Sequence, residues 1–186
     1  MSGQPDATIL LSSHAPRGTF QPWIGEAQLN ITLTVNGEAR RVEAPETASL
    51  LEVLRNHLGL MGTRYGCGLE QCGCCTVLVD GEPAYACTRE VGTVAGRAVT
   101  TVEGLGSATD MHPLQQAFVD EQAGQCGYCL SGIIVSAKAL LDRNPQPSRA
   151  DIVTALDRHL CRCGTHQRII RAVQRAAETM RNGRPS

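Results

Sequence analysis

The chain carries nine cysteines, and they are clustered rather than scattered. Cys67, Cys72, Cys74 and Cys75 sit in the stretch RYGCGLEQCGCC with Cys87 a short way beyond, and Cys126, Cys129, Cys161 and Cys163 form a second group. An odd count in two tight groups is unlike the even framework of a secreted disulfide scaffold, so metal ligation is the better reading. In the first group, Cys67-x4-Cys72-x2-Cys75 followed by Cys87 has the plant-type spacing for a [2Fe–2S] cluster. Gly66, Gly68 and Gly73 lie among these cysteines, so the backbone can fold tightly and bring its N–H groups close to sulfur. Cys87 comes from the far strand of the following hairpin and closes the fourth corner. Taking Cys74 in place of Cys75 gives Cys-x4-Cys-x-Cys, which does not match. Cys74 is read instead as a small filler, with a thiol open to oxidation beside a cluster.

The second group is Cys126-x2-Cys129 and, well downstream, Cys161-x-Cys163. One pair precedes an apolar helical stretch and the other falls between two more, so four thiolates can converge at the end of a helical unit. Zinc ribbons usually repeat Cys-x2-Cys, a pattern that Cys-x-Cys fits poorly. A Rieske centre needs Cys-x-His strings, and none occurs. A thioredoxin-like Cys-x2-Cys needs a βαβ setting that the flanking pattern does not supply. His159 precedes Cys161 as His-x-Cys, but packing on a helix face or solvent exposure is the simpler reading. Spacing by itself leaves zinc and iron–sulfur both open for this group.

The elements that hold these residues can be read from periodicity. Ile31, Leu33 and Val35 alternate with polar residues, Asn36-Gly37 is a two-residue hairpin signal, and a return strand runs through about residues 40–44. SLLEVLRNHLG has helical spacing and stops at Gly59. TVLVDGEPAYA is a second hairpin around Asp80-Gly81, and RAVTTVEGLG gives a last strand and a glycine-marked boundary near 104–106. Beyond it the pattern is helical. Leu114, Ala117 and Phe118 mark one helix, and Ile133, Ile134, Ala137, Leu140 and Leu141 mark a second that NPQP stops. A third, capped by Ser148 with Asp151, carries Ile152, Leu156 and Leu160, and Ile169, Val173, Ala176 and Met180 run down a fourth. The fold class is therefore α+β: a sheet unit over residues 29–104, then an all-α four-helix bundle over 105–181. Residues 1–28 and 182–186 read as tails, with Phe20 and Trp23 in the first as a candidate docking segment.

Composition narrows the function classes. A net charge of -1 offers no basic field for nucleic acid or anionic lipid, and aromatics at 3% argue against a base-stacking platform. No run approaches the ~18 apolar residues of a membrane span. Ile9–Leu11 lacks a preceding basic residue, and Arg40-Arg41 lies in a strand pattern, so neither reads as an export signal. The expected location is cytoplasmic, or exported or membrane-associated only through a partner.

YGCGLEQCGCCTVLVDG, GQCGYCLSG and LCRCGTHQRIIRAV together resemble the small iron–sulfur subunit of the xanthine oxidase-type molybdenum hydroxylases, over about residues 30–180. Within that family the chain is similar to the separate small subunits of nicotinate dehydrogenase and isoquinoline oxidoreductase. HPLQQAFVDEQ, SAKALLDRNPQPS and His166, where many relatives have tyrosine, lean towards the nicotinate type. The resemblance implies a plant-ferredoxin-like β-grasp domain before the bundle, and two [2Fe–2S] clusters. The first is held by Cys67, Cys72, Cys75 and Cys87, the second by Cys126, Cys129, Cys161 and Cys163. It also implies a large partner subunit carrying a molybdopterin cofactor in its cytosine dinucleotide form, approached most closely by Gln125 and Cys163. Cys74 departs from the usual alanine, and residues 1–28 extend beyond the usual start.

The implied function is electron transfer from the molybdopterin subunit, through the bundle cluster and then the β-grasp cluster, past a rim containing Tyr65 and Leu69. The acceptor would lie on another chain, a flavin subunit or a c-type cytochrome, since neither a flavin motif nor Cys-x-x-Cys-His occurs here. The substrate expected for the complex is an N-heterocyclic aromatic such as nicotinate, with aldehyde oxidation as the runner-up. A free-standing ferredoxin-like carrier would leave the helical cysteines without a task, and a zinc-stabilised adaptor would be purely structural.

Overall fold

A computed structural model describes residues 28–183. β1 (Leu29–Val35) and β2 (Glu38–Ala44) form an antiparallel hairpin. Asn36 and Gly37 both take positive φ, the backbone of a tight two-residue turn that matches strand twist. α1 (Leu50–Glu52) is capped by the Ser49 hydroxyl and continues as a π-helical turn (Val53–His57), closed by Leu58 N–H donating to the Val53 carbonyl at 3.1 Å. β3 (Thr76–Val79) and β4 (Glu82–Tyr85) make the second hairpin, around Asp80 and Gly81 at positive φ. β5 (Ala98–Thr100) completes a sheet of order β2-β1-β5-β3-β4, parallel to β1 and antiparallel to β3.

The inward faces of these strands and of α1 build the first core. Leu33, Leu50, Val53, Leu54, Val77 and Val91 are fully buried in it, each contributing roughly 1.5–3 kcal/mol by leaving water. Four helices follow: α2 (Pro113–Asp120), α3 (Leu130–Arg143), α4 (Arg149–Leu156) and α5 (His166–Asn182). The Ser148–Asp151 capping box forms as its spacing predicts, with Ser148 Oγ accepting from Asp151 N–H and the carboxylate accepting from Ser148 N–H. α5 buries Ile169, Ile170, Val173 and Ala176 and turns Arg171 and Arg175 outward to Glu121 and Asp120 of the α2 end. α4 stops at Leu156, so Leu160 does not extend its apolar stripe; it lies beyond the helix, 62% exposed.

The two units share one seam. α3 lies on the sheet, with Val135 and Ala139 packed on Leu78 of β3, and Arg143 pairs with Glu82 of β4 at 2.8 Å. The Asn36 side chain ties the first hairpin to the linker, accepting from Thr101 N–H at 2.8 Å and donating to its hydroxyl at 3.0 Å. That seam is where the cysteine loops meet. The expectation for Phe20 and Trp23 lies outside the described residues.

Candidate metal centres

The first thiol group sits on the loop between α1 and β3, and the loop turns its amides on its own sulfurs. Leu69 and Gln71 donate backbone N–H to Cys67 Sγ at 3.3 and 3.2 Å, and Cys67 N–H donates to Cys72 Sγ at 3.3 Å. The first two of these bonds hold the Cys67 thiol down at about 7, a condition that favours the thiolate a metal requires. Cys75 and Cys87 form a second pair within hydrogen-bonding reach. Cys75 is buried at the start of β3, which pushes its thiol up to about 12, and Cys87 follows β4 as the far-strand supplier. Burying a thiolate without a cation is costly, so a bound metal resolves what burial opposes here.

The second group forms on the loops before α3 and between α4 and α5. Cys126 lies within reach of Cys163, and Cys129 within reach of Cys161. The Tyr128 amide lowers the Cys126 thiol and burial pushes Cys129 up to about 12, while burial raises Cys161 but hydrogen bonds from the Thr165 amide and hydroxyl, the Cys129 thiol and the Cys163 amide together bring it to about 7. Gln125 is exposed and immediately precedes Cys126, whose thiol faces Cys163.

The eight candidate ligands face one another as Cys67 with Cys72, Cys75 with Cys87, Cys126 with Cys163 and Cys129 with Cys161, while Cys74 also reaches Cys72. A [2Fe–2S] core takes two protein ligands on each iron, so two facing pairs fit it, whereas tetrahedral zinc draws four ligands to one point. The donor sets therefore fit binuclear iron.

Cys74 is placed differently. It is buried with the bundle core rather than with Cys75 and Cys87, and burial raises it to about 12. It occupies the place of a small filler between Cys72 and Cys129. Tyr65 and Leu69 are 59% and 70% exposed beside the first group.

Several contacts around the cysteine loops are not legible from spacing. The Tyr128 hydroxyl donates to the Tyr65 carbonyl, with Arg64 over the Tyr128 ring at 5.8 Å. His159 is neither solvent-exposed nor on a helix face: it is 6% exposed, with Nε2 2.8 Å from Ser136 Oγ on α3. Its Nδ1 faces the Gly73 backbone without a well-formed hydrogen bond, and burial holds the ring's pKa down at about 4, with the Gly73 backbone pulling weakly the other way. Beside it, Leu160 N–H donates to the Cys72 carbonyl at 3.1 Å.

Comparison with known proteins agrees with this anatomy. Residues 33–97 match a 2Fe-2S iron-sulfur cluster binding domain, and residues 101–174 match a [2Fe-2S] binding domain. A nicotinate dehydrogenase subunit of Pseudomonas putida is 56% identical over 154 residues, which cover 83% of this chain and 98% of that one. The chain belongs to the small [2Fe–2S] subunits of the xanthine oxidase-type molybdenum hydroxylases. The alpha chain of isoquinoline 1-oxidoreductase from Brevundimonas diminuta is 53% identical to this iron–sulfur subunit, covering 80% of it and 97% of the relative. A chain of quinoline 2-oxidoreductase from Pseudomonas putida 86 superposes with a TM-score of 0.80 at 35% identity, covering 85% of this chain and 99% of that one. The aldehyde oxidoreductase of Desulfovibrio desulfuricans also reaches a TM-score of 0.80, at 44% identity, and the iron–sulfur subunit spans 17% of that longer chain. The β-grasp and bundle architecture expected from the sequence is thus that of the family.

Proposed function

We propose that this subunit passes electrons from a molybdopterin-bearing large subunit, with the cofactor in its cytosine dinucleotide form, to an acceptor on another chain, a flavin subunit or a c-type cytochrome. The observation that carries the reading is the single hydrogen bond from Leu160 N–H to the Cys72 carbonyl. Leu160 precedes Cys161, so a member of one thiol group is joined to a member of the other by covalent bonds and one hydrogen bond.

In this reading Cys67, Cys72, Cys75 and Cys87 hold one [2Fe–2S] cluster and Cys126, Cys129, Cys161 and Cys163 the other, and when bound the clusters supply the one-electron chemistry. The remaining work belongs to the chain. Leu69, Gln71 and Cys67 amides donate to first-group sulfurs and stabilise their thiolate charge, while the Tyr128 and Thr165 amides do the same in the second. Gln125 and Cys163 present the second group to the large subunit, and the exposed Tyr65–Leu69 rim presents the first to the acceptor. Among the described residues no helix is long and apolar enough to cross a membrane.

For the substrate of the complex, the names of the 56% and 53% identical relatives favour an N-heterocyclic aromatic such as nicotinate. A second reading, aldehyde oxidation, has the 42% identical aldehyde oxidoreductase of Megalodesulfovibrio gigas in its favour. Anaerobic titration of the complex purified through this chain separates them. Bleaching of the visible iron–sulfur absorption by nicotinate or isoquinoline but not by benzaldehyde is expected. Bleaching by benzaldehyde alone would move the assignment to aldehydes, and purification without a molybdenum-bearing chain would leave a free-standing carrier as the reading.

A further inference from the structure

The histidine at the seam carries a role that ligand spacing does not assign. The dipeptides Cys72-Gly73 and His159-Leu160 lie side by side, each carrying or leading into a thiol of a different group. Their one backbone bond, Leu160 N–H to Cys72 carbonyl, is flanked by the His159 ring. A Cβ on Gly73 would stand 2.3 Å from His159 Nδ1, 2.8 Å from Cε1 and 2.9 Å from Cγ, so the ring fills the space where a side chain would be. The ring's far side is fixed to α3 through Ser136 at 2.8 Å, and the His159 backbone is fixed to α4 by its N–H to the Leu156 carbonyl at 2.9 Å. Gly73 is held on its other sides too. Its carbonyl accepts from Thr76 N–H and Oγ1 at 3.2 and 2.8 Å, and α3 passes over it at Gly132. The Leu160 side chain, by contrast, is 62% exposed, and a further tie near it runs through Arg158, which donates to the Glu70 carbonyl at 3.2 Å and lies 5.0 Å over the Tyr85 ring.

We propose that His159 is a positioning residue for electron transfer between the two thiol groups, a wedge between Ser136 and Gly73 that keeps the Leu160 amide on the Cys72 carbonyl. The inference rests on the relay proposed above. Electronic coupling across a hydrogen-bonded gap falls steeply as the gap opens, so a loosened Leu160–Cys72 bond slows transfer between the groups even with every cysteine in place. Removing the ring also removes a packed neighbour and the Ser136 bond, which raises the frequency of local opening at Leu160.

The test uses the full complex carrying His159→Ala or Ser136→Ala, with two readouts besides turnover. The first is hydrogen exchange of peptides spanning residues 156–163; the second is the magnetic splitting between the two reduced signals in electron paramagnetic resonance (EPR). His159→Ala should keep its iron, exchange the Leu160 amide about tenfold faster, and lose splitting, while amides of β3 and α5 hold their rates. Ser136→Ala, which leaves the ring in place but frees its orientation, should move both readouts the same way by a smaller factor. Unchanged exchange and splitting in an iron-replete His159→Ala complex would overturn the proposal. If that variant loses iron, Ser136→Ala decides, and no change in either readout would overturn the proposal equally. An unaltered complex without four irons per chain would end the relay reading instead, with the exchange data still testing the wedge.

Discussion

Gly132→Ala puts two local rules in opposition and so tests how closely the bundle is seated on the first loop. Gly132 is the third residue of α3, where alanine would by propensity alone stabilise the helix by about 1 kcal/mol. An added Cβ, however, would stand 2.0 Å from the Gly73 carbonyl oxygen and 3.1 Å from its carbon. A carbon–oxygen contact normally begins near ~3.3 Å, so helix and loop must part by roughly 1.3 Å. Neither side yields cheaply: one is the α3 backbone, and the other is a carbonyl already accepting two bonds from Thr76. Overpacking of this kind costs about 1–3 kcal/mol, and with backbone on both sides the upper end applies, for a net loss of about 2 kcal/mol after the propensity gain. In a unit of this size that lowers Tm by roughly 4–8 °C. Thermal melting of the iron-loaded complex is the assay, with Ser131→Ala as the neighbouring control. The Ser131 hydroxyl is buried with no partner among the described residues, so its removal should leave Tm unchanged or slightly raised. A Gly132→Ala complex that melts at or above the parent temperature with full iron would refute the close seating of α3 on Gly73.

Three further outcomes follow from the site and the caps. Cys129→Ser should abolish the second-group EPR signal and leave most of the first, since their loops have separate backbones; loss of both signals together would contradict independent sites. Cys74→Ala should retain all iron, and a lost signal there would reassign the ligands. Burial, aided by Lys138 and partly opposed by Asp142, holds the His112 pKa below its ordinary 6.5, and its Nδ1 caps α2 by accepting from Leu114 N–H at 3.1 Å. The unfolded chain therefore binds that proton more readily, and stability falls as pH drops below about 6.5. His112→Asn keeps a cap acceptor and should lessen the slope of the Tm–pH profile below about pH 6.5 without abolishing it, since His159, held at about 4 by burial, titrates in the same window; an unchanged slope would place the His112 share elsewhere.

What could be read from the sequence had local causes. Asn36-Gly37 and Asp80-Gly81 announce their hairpins because few other residue pairs take that turn, and Ser148 with Asp151 announces a helix start because the capping box closes within one turn. The π turn after α1 was hidden, since an i to i+5 bond leaves no distinct apolar period. Leu160 was misplaced because its spacing continues the α4 stripe that the chain abandons after Leu156. Spacing supplied the eight candidate ligands but not which thiols face each other, and it could not show that Cys74 joins the bundle core. His159 was hidden for the same reason: its neighbours, Gly73 and Ser136, are distant in the chain and meet only when α3 settles on the sheet.

The most direct test of the account is a count of iron, zinc and molybdenum in the complex purified through this chain, with a low-temperature EPR spectrum of the reduced sample. Four irons per chain, two distinct rhombic signals, and molybdenum in the large partner are the predicted result. Two irons with one zinc, and a single rhombic signal, would confine electron transfer to the first group and make the bundle cysteines structural, contradicting the relay.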